Sequence, residues 1–405
     1  MDRTGQSGRR RRDGLRFATR WLSLAVGAAL VLPWWMVPVP LASFSPFVAL
    51  CSALVTWTTG FVVLLGVPVL VLAMLKPLWF CRFACPVGFL QELLRRLRPD
   101  SEVRWHHWPL LGRWFALLTL AGALVGYPLF LWLDPLAIFS GFFSAWRQPF
   151  TTAAVCAGLA LPAALLFDFV MPKVWCMRIC PLGAMQVLLA MGRRWSRRPP
   201  RLETGGHAGA QPHFNTALAR RSFFTACIGA IGGIAAQKAH GAPPLRPPGA
   251  LDEGRFTGAC IRCGDCTRVC PTHILSSDLG GHGLTGLLAP VASFDSGYCR
   301  EDCNRCGQVC PSGAIERLTL LEKRRRVIGP AKVDLETCLL ANGQDCTACI
   351  RACPYEALKV FSDGFDTRPD LTLARCTGCG ACETACPVRP LRAIRVVPKP
   401  GVLPA

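Results

Sequence analysis

Histidine is scarce in this chain of 405 residues, seven in all, and none falls in a long apolar run. A bis-histidine haem inside such a run is therefore not expected, and no Cys-x2-Cys-His stands anywhere to attach a haem c. No glycine-rich phosphate cradle occurs either, so no nucleotide is expected. Acidic residues are also few: 25 Asp and Glu against 45 Lys and Arg leave a net charge of +20. That excess would suit nucleic acid, but it is lopsided. Residues 1–221 carry 24 basic against 8 acidic side chains, the remainder 21 against 17. The basic residues gather at 9–20, 95–113 and 178–201, between apolar runs. This is the pattern of loops flanking membrane spans, and a nucleic-acid partner is not expected.

Four runs, 21–39, 61–80, 114–133 and 150–170, approach the roughly 20 apolar residues that a spanning helix needs. The predicted topology is four spans with both ends on the cytoplasmic side, and a further apolar run at 46–59 is read as a half-helix. The region is duplicated. Cys81-Arg82-Phe83-Ala84-Cys85-Pro86-Val87-Gly88, ending in Gln91, aligns with Cys176-Met177-Arg178-Ile179-Cys180-Pro181-Leu182-Gly183, ending in Gln186. After a polar linker at 201–218, Arg220-Arg221-Ser222-Phe223-Phe224 opens a short apolar run. It reads as a twin-arginine-like signal or anchor over 219–241, with an ordinary fifth span as the alternative. A proline-rich linker follows at 242–254.

The predicted fold is thus an all-α membrane domain at 21–200, four transmembrane helices as a duplicated pair behind a basic cytoplasmic segment at 1–20. A short fifth helix and an α+β double bacterial-ferredoxin-like domain at 255–400 complete it.

Twenty-three cysteines are too tightly and repeatedly spaced for a disulfide scaffold. Cys260, Cys263, Cys266 and Cys270 form the bacterial ferredoxin run, as do Cys376, Cys379, Cys382 and Cys386. Cys299, Cys303, Cys306 and Cys310, and Cys338, Cys346, Cys349 and Cys353, keep the closing Cys-x3-Cys-Pro and widen the opening gap. Three thiolates on a tight loop suit three irons of one cubane, while the fourth reaches a second cluster. Four [4Fe-4S] clusters are expected on these sixteen residues. A zinc site accounts for one Cys-x2-Cys pair, not for four such closings. Matched spacing suggests that the first motif pairs with the fourth and the second with the third, with sequential pairing as the alternative.

Cys81 and Cys85, and Cys176 and Cys180, are spaced i, i+4 and form a possible further thiolate-bound metal or redox site; dithiol chemistry and simple packing are the alternatives. Cys51, Cys156 and Cys227 read as small buried hydrophobes. Asp168, in an apolar run, is a candidate proton acceptor, with an ion pair to Lys173 or Arg178 as the plainer reading. Asp134 reads as a cap for the helix after it.

Residues 15–195, with both Cys-x3-Cys-Pro-x-Gly motifs, Trp79-Phe80-Cys81, Trp175-Cys176 and Asp134-Pro135, resemble the NapH-type membrane subunit and its NosR relatives. Residues 216–400, with Arg246-Pro247-Pro248-Gly249-Ala250-Leu251 and the four motifs, resemble the NapG-type ferredoxin and its methylamine-utilisation relatives. The resemblance implies a quinol dehydrogenase module. It would draw on membrane lipid and the quinone pool and pass electrons to a periplasmic redox protein or reductase. Its implied place is the bacterial inner membrane, multi-pass, with the ferredoxin domain on the periplasmic side. Other readings are an electron-supplying accessory protein for maturing a cofactor enzyme, and a cytoplasmic-facing polyferredoxin docked on a membrane complex.

Overall fold

The computed structural model describes residues 3–31, 40–57, 61–76, 78–97, 109–145, 152–196, 216–239, 243–363 and 367–399. Helices account for the described structure up to residue 239, and short helices with three two-stranded antiparallel sheets account for the rest.

The apolar runs yield helices shorter than their length in sequence allows. The second yields the Phe61–Leu75 helix of 15 residues with Pro68 inside it. At 1.5 Å per residue this is about 22 Å, short of a hydrocarbon core of about 30 Å. The third yields Leu111–Leu124, 14 residues. The fourth divides into Thr152–Gly158 and Ala160–Val170. Pro162 has no N–H to offer the Gly158 carbonyl. The helix Arg3–Val31 is long, but its first half is strongly basic, and residues 32–39 of the first run lie outside the described residues. No helix among the described residues is long and apolar enough to cross a membrane. The expectations of four transmembrane helices, of an all-α membrane domain and of a multi-pass inner-membrane location are corrected accordingly. Most of the linker expected at 201–218 also lies outside the described residues.

Pro46–Thr56 and Pro135–Ala145 are equivalent helices of 11 residues, each opened by a proline at its first position, where the missing N–H costs nothing. Both are mostly buried, and neither has an exposed residue. Ser45 accepts from the Val48 N–H at 3.4 Å, and Asp134 accepts from the Leu136 and Ala137 N–H groups at 2.9 and 3.4 Å, so Asp134 does cap its helix. Ser45 Oγ also donates to Asp134 Oδ2 at 2.6 Å, joining the two copies at their cores. The Thr216–Lys238 helix, with Arg220 and Arg221 exposed near its start, lies along Leu111–Leu124. Gly229 makes that approach possible: a Cβ there would meet the Leu118 carbonyl at 2.7 Å.

The C-terminal part consists of two ferredoxin-like units in chain order. In the first, Ala250 bridges antiparallel to Ile315. In the second, Ala331–Val333 pairs antiparallel with Ile394–Val396. Each unit carries a hairpin after its first closing Cys-Pro: Leu275–Ser277 with Pro290–Ala292, and Leu358–Ser362 with Thr367–Leu371. The first unit is seated on the N-terminal helices. Ser144 Oγ donates to the Cys263 carbonyl at 3.1 Å, Ser52 Oγ to the Ser312 carbonyl at 2.8 Å, and Arg268 Nη1 to the Val31 carbonyl at 3.1 Å. Phe256, Ile261, Cys263, Cys310 and Ile315 share one buried cluster with Phe47, Val48, Leu136 and Phe139.

Candidate functional site

Three thiols of each ferredoxin-type motif sit on a loop closed by a short helix, and the fourth is delivered from the other motif of the same unit. One cavity is lined by Cys260, Cys263 and Cys266 with Cys310. A second is lined by Cys299, Cys303 and Cys306 with Cys270, and a third by Cys338, Cys346 and Cys349 with Cys386. In the fourth set, Cys376, Cys379 and Cys353 all act on the buried Cys382 thiol. Motif one therefore pairs with two and three with four. The pairing suggested by matched spacing, first with fourth and second with third, is corrected.

Burial pushes up the thiols of Cys260, Cys263, Cys266, Cys299, Cys306, Cys349, Cys379 and Cys382, and repulsion from neighbouring thiols adds to it. Cys306 rises to about 12 under burial and then Cys299, Cys303 and Cys270. Cys349 rises to about 11 under burial and then Cys338, Cys346 and Cys386. Four crowded thiols in an apolar pocket resist ionising by themselves, whereas a bound cationic core takes them as thiolates outright. Backbone donors already point at sulfur: Ile315 N–H to Cys310 Sγ at 3.4 Å and Ala357 N–H to Cys353 Sγ at 3.3 Å. The donor set fits a [4Fe-4S] cluster. Among the described residues, no three His, Cys, Asp or Glu side chains are gathered tightly enough for a single metal ion.

The sets follow one another in space. Cys306 repels Cys266, Cys299 repels Cys379, and Cys349 repels Cys382. The order is first, second, fourth, third, so the first set, against the N-terminal helices, lies at one end.

Beside that end is an apolar cavity of about 480 Å³, lined by Trp132, Ala160, Phe167 and Trp175 on one side and Ile261 and Arg262 on the other. Arg262 is in the left-handed region at φ 58 and donates from Nε to the Leu287 carbonyl at 2.6 Å. Its charge and backbone N–H favour the Cys260 thiolate against the effect of burial. Sequence reasoning passed over Arg262, since one arginine in a Cys-x2-Cys loop carries no distinguishing signal. Asp168 is buried, its Oδ1 without a hydrogen-bond partner, and burial pushes its carboxyl up to about 6 against the Lys173 and Trp175 backbone donors and the Arg95 charge.

The four remaining motif cysteines also converge. Cys85 and Cys180 stand immediately before the Pro86–Arg96 and Pro181–Ser196 helices. Cys85 Sγ accepts from the Gly88 N–H at 3.4 Å, and the Gly183 backbone acts on Cys180 in the same way. Burial pushes Cys81 up to about 12 and Cys85 up to about 11, and raises Cys176 and Cys180; the four thiols repel one another across the two copies. Cys51 is fully buried, whereas Cys156 is exposed and Cys227 half-buried, so neither of the latter two is the buried hydrophobe expected.

The 4Fe-4S dicluster domain family matches residues 259–314 and 342–389, and a 4Fe-4S binding domain family matches 56–104 and 154–199. The methylamine utilization ferredoxin-type protein MauM of Methylobacillus flagellatus is 37% identical over 191 residues, covering 43% of this chain and 78% of the relative. Its counterpart in Methylorubrum extorquens is 38% identical over 166 residues, 39% of this chain and 74% of the relative. The ferredoxin-type protein NapG of Escherichia coli is 34% identical over 145 residues, 34% of this chain and 63% of the relative. No solved structure matches. The cysteine sets and these relatives together make the chain a 4Fe-4S electron-transfer protein related to NapG, and it belongs to the MauM-type family of ferredoxin-type proteins.

Proposed function

We propose that the sixteen cysteines of the four ferredoxin-type motifs hold four [4Fe-4S] clusters, and that the chain takes electrons from a quinol and delivers them to a protein redox partner. The observation that carries the reading is the contact between the apolar cavity and the first cysteine set: Ile261 and Arg262, which line the cavity, lie between Cys260 and Cys263. The clusters, when bound, supply one-electron carriers.

The chain's own residues do the rest. Trp132, Phe167 and Trp175 give the cavity aromatic and apolar walls suited to a flat ring, and its volume is in the range of small-molecule sites. Oxidation of a quinol to a quinone releases two electrons and two protons. Asp168, one residue beyond the cavity-lining Phe167, takes one of these protons in this reading, its carboxylate made more basic by burial, and the other passes to water. The third cysteine set, with Cys338 and Cys346, is at the far end of the series and faces the partner.

The test begins with protein purified without oxygen and oxidised. Bleaching of the broad iron–sulfur absorbance within seconds of adding a reduced quinol analogue is the expected result. Full bleaching with dithionite but none with quinol would overturn the quinol assignment and leave a protein donor in its place.

A further inference from the structure

We propose that Cys81, Cys85, Cys176 and Cys180 hold one additional [4Fe-4S] cluster, shared between the two copies of the duplicated region and capped by Gln91 and Gln186. Each match to the 4Fe-4S binding domain family contains only one Cys-x3-Cys pair, half the ligands a cubane takes. The structure supplies the other half by bringing the pairs together. Gln186 Nε2, from the second copy, donates to Cys81 Sγ of the first at 3.2 Å. Gln91 Oε1, from the first copy, lies 2.6 Å from Cys176 Sγ of the second. Gly183, in the first turn of the Pro181–Ser196 helix, lies beside the Cys81 sulfur, its Cβ position 3.8 Å from Cys81 Sγ.

The two glutamines point to a ligand. Both are buried, at 3% and 0% exposure, and each has an amide atom without a partner, Nε2 of Gln91 and Oε1 of Gln186. An orphaned amide in an apolar interior costs free energy unless something occupies the space beside it. Cys176 donates to Gln91 Oε1 as a thiol, but as a cluster-bound thiolate it has no proton to give, so in the loaded site the Gln91 amide turns over and its Nε2 donates to Cys176 Sγ. The two copies then make the same bond, an amide donating across the repeat to the first cysteine of the other copy. Such donors stabilise thiolate and raise the potential of a cluster.

Charge favours the same occupant. The Pro86–Arg96 and Pro181–Ser196 helices, 11 and 16 residues long, begin at Cys85 and Cys180 and direct their positive ends at the sulfurs. The buried Arg20, which is ion-paired with Glu92, donates to the Arg82 carbonyl at 2.6 Å and to the Cys81 carbonyl at 3.4 Å, and its charge favours the Cys85 thiolate against the opposing charge of Asp134. Four thiolates around a cubane carry net negative charge, which these groups offset.

The experiment is iron and acid-labile sulfide analysis with Mössbauer spectroscopy on the full chain, beside the C81A/C176A variant. The expected result is about twenty iron atoms per wild-type chain and about sixteen per variant, with the ferredoxin-type signals unchanged. The difference isolates this cluster whatever the occupancy of the other sixteen cysteines, so the four-cluster reading and this one fail separately. The Gln186→Leu variant guards against misfolding: its iron content should stay at the wild-type level while the midpoint potential of a single EPR-detected centre falls. Zinc in place of the extra iron, or equal iron in wild type and double variant, would overturn the proposal. So would a Gln186→Leu protein with every potential unmoved.

Discussion

The backbone N–H of Cys299 donates to the carbonyl of Cys379 at 2.8 Å. This bond ties the opening cysteine of the second motif to the loop of the fourth, and so joins the two ferredoxin-like units at the middle of the series. Thr384 Oγ1 reinforces the joint with bonds to the Gly297 and Phe294 carbonyls at 2.9 and 3.1 Å.

Gly380 is the tightest point of that joint. It has φ +82, and a Cβ would lie 2.2 Å from the Phe294 ring. Gly380→Ala combines left-handed strain with overpacking and is expected to cost about 2–4 kcal/mol. Urea titration followed by iron–sulfur absorbance should show cluster loss at lower denaturant. An unchanged midpoint would mean that the units are not held together here.

Sequential pairing predicts which cysteines act together. Cys310→Ala should abolish the same EPR component as Cys263→Ala, because Cys310 completes the first set. Cys386→Ala should instead match Cys346→Ala. If Cys386→Ala removed the Cys263 component, the first and fourth motifs would be partners after all.

These pairs show where the sequence was legible. The spacing of Cys260, Cys263 and Cys266 is a local property, since one short loop must turn three sulfurs inward, and it can be read without a fold. Which motif supplies the fourth sulfur depends on the Ala250 to Ile315 bridge, a contact across 65 positions that equal spacing does not encode. The apolar runs misled for a similar reason: their composition gave length, but the second helix stops at Leu75 and the fourth run divides beside Pro162. Gln91 and Gln186 were visible as matching positions in the two copies. Only the structure places each against a sulfur of the other copy.

Asp134 gives the fold a pH dependence. Burial pushes its carboxyl up from 3.8 to about 6, although Ser45, Leu136 and Ala137 donate to it. The folded chain therefore holds this proton more tightly than the unfolded chain. Its contribution is fully present below about 4 and is lost as pH rises through about 6, on the order of 3 kcal/mol in all. Asp134→Asn should flatten the wild-type decline in thermal stability between about pH 4 and 6. A variant with the same decline would assign it to another group.

Asp168 predicts the pH profile of quinol oxidation. With its carboxyl pushed up to about 6 by burial, the carboxylate that accepts the proton is scarce below that pH and plentiful above it. Stopped-flow bleaching should accelerate as pH rises through 6 and then level off. Asp168→Asn should slow it on the order of 100-fold and remove the rise. A variant as fast as wild type would reduce Asp168 to a cap for the Lys173 and Trp175 N–H groups.

Arg262 separates charge from shape at the entrance to the series. Its guanidinium is held by the Leu287 and Thr285 carbonyls at 2.6 and 3.0 Å and lies 5.7 Å from the Trp132 ring centroid. A side chain held at φ 58 costs about 1–3 kcal/mol, which glycine at this position would avoid. A fixed positive charge beside Cys260 favours the reduced, more negative state of the first centre. Arg262→Gln should therefore lower the midpoint potential of that centre, on the order of 50–100 mV at an effective dielectric constant near 20. Arg262→Lys keeps the charge but loses the fork between the two carbonyls, so most of the potential should survive while quinol binding at the cavity wall weakens. Redox titration followed by EPR reads the first effect and the concentration dependence of bleaching reads the second. If Arg262→Lys lowered the potential as far as Arg262→Gln, the backbone geometry of the loop, and not the charge, would be setting it.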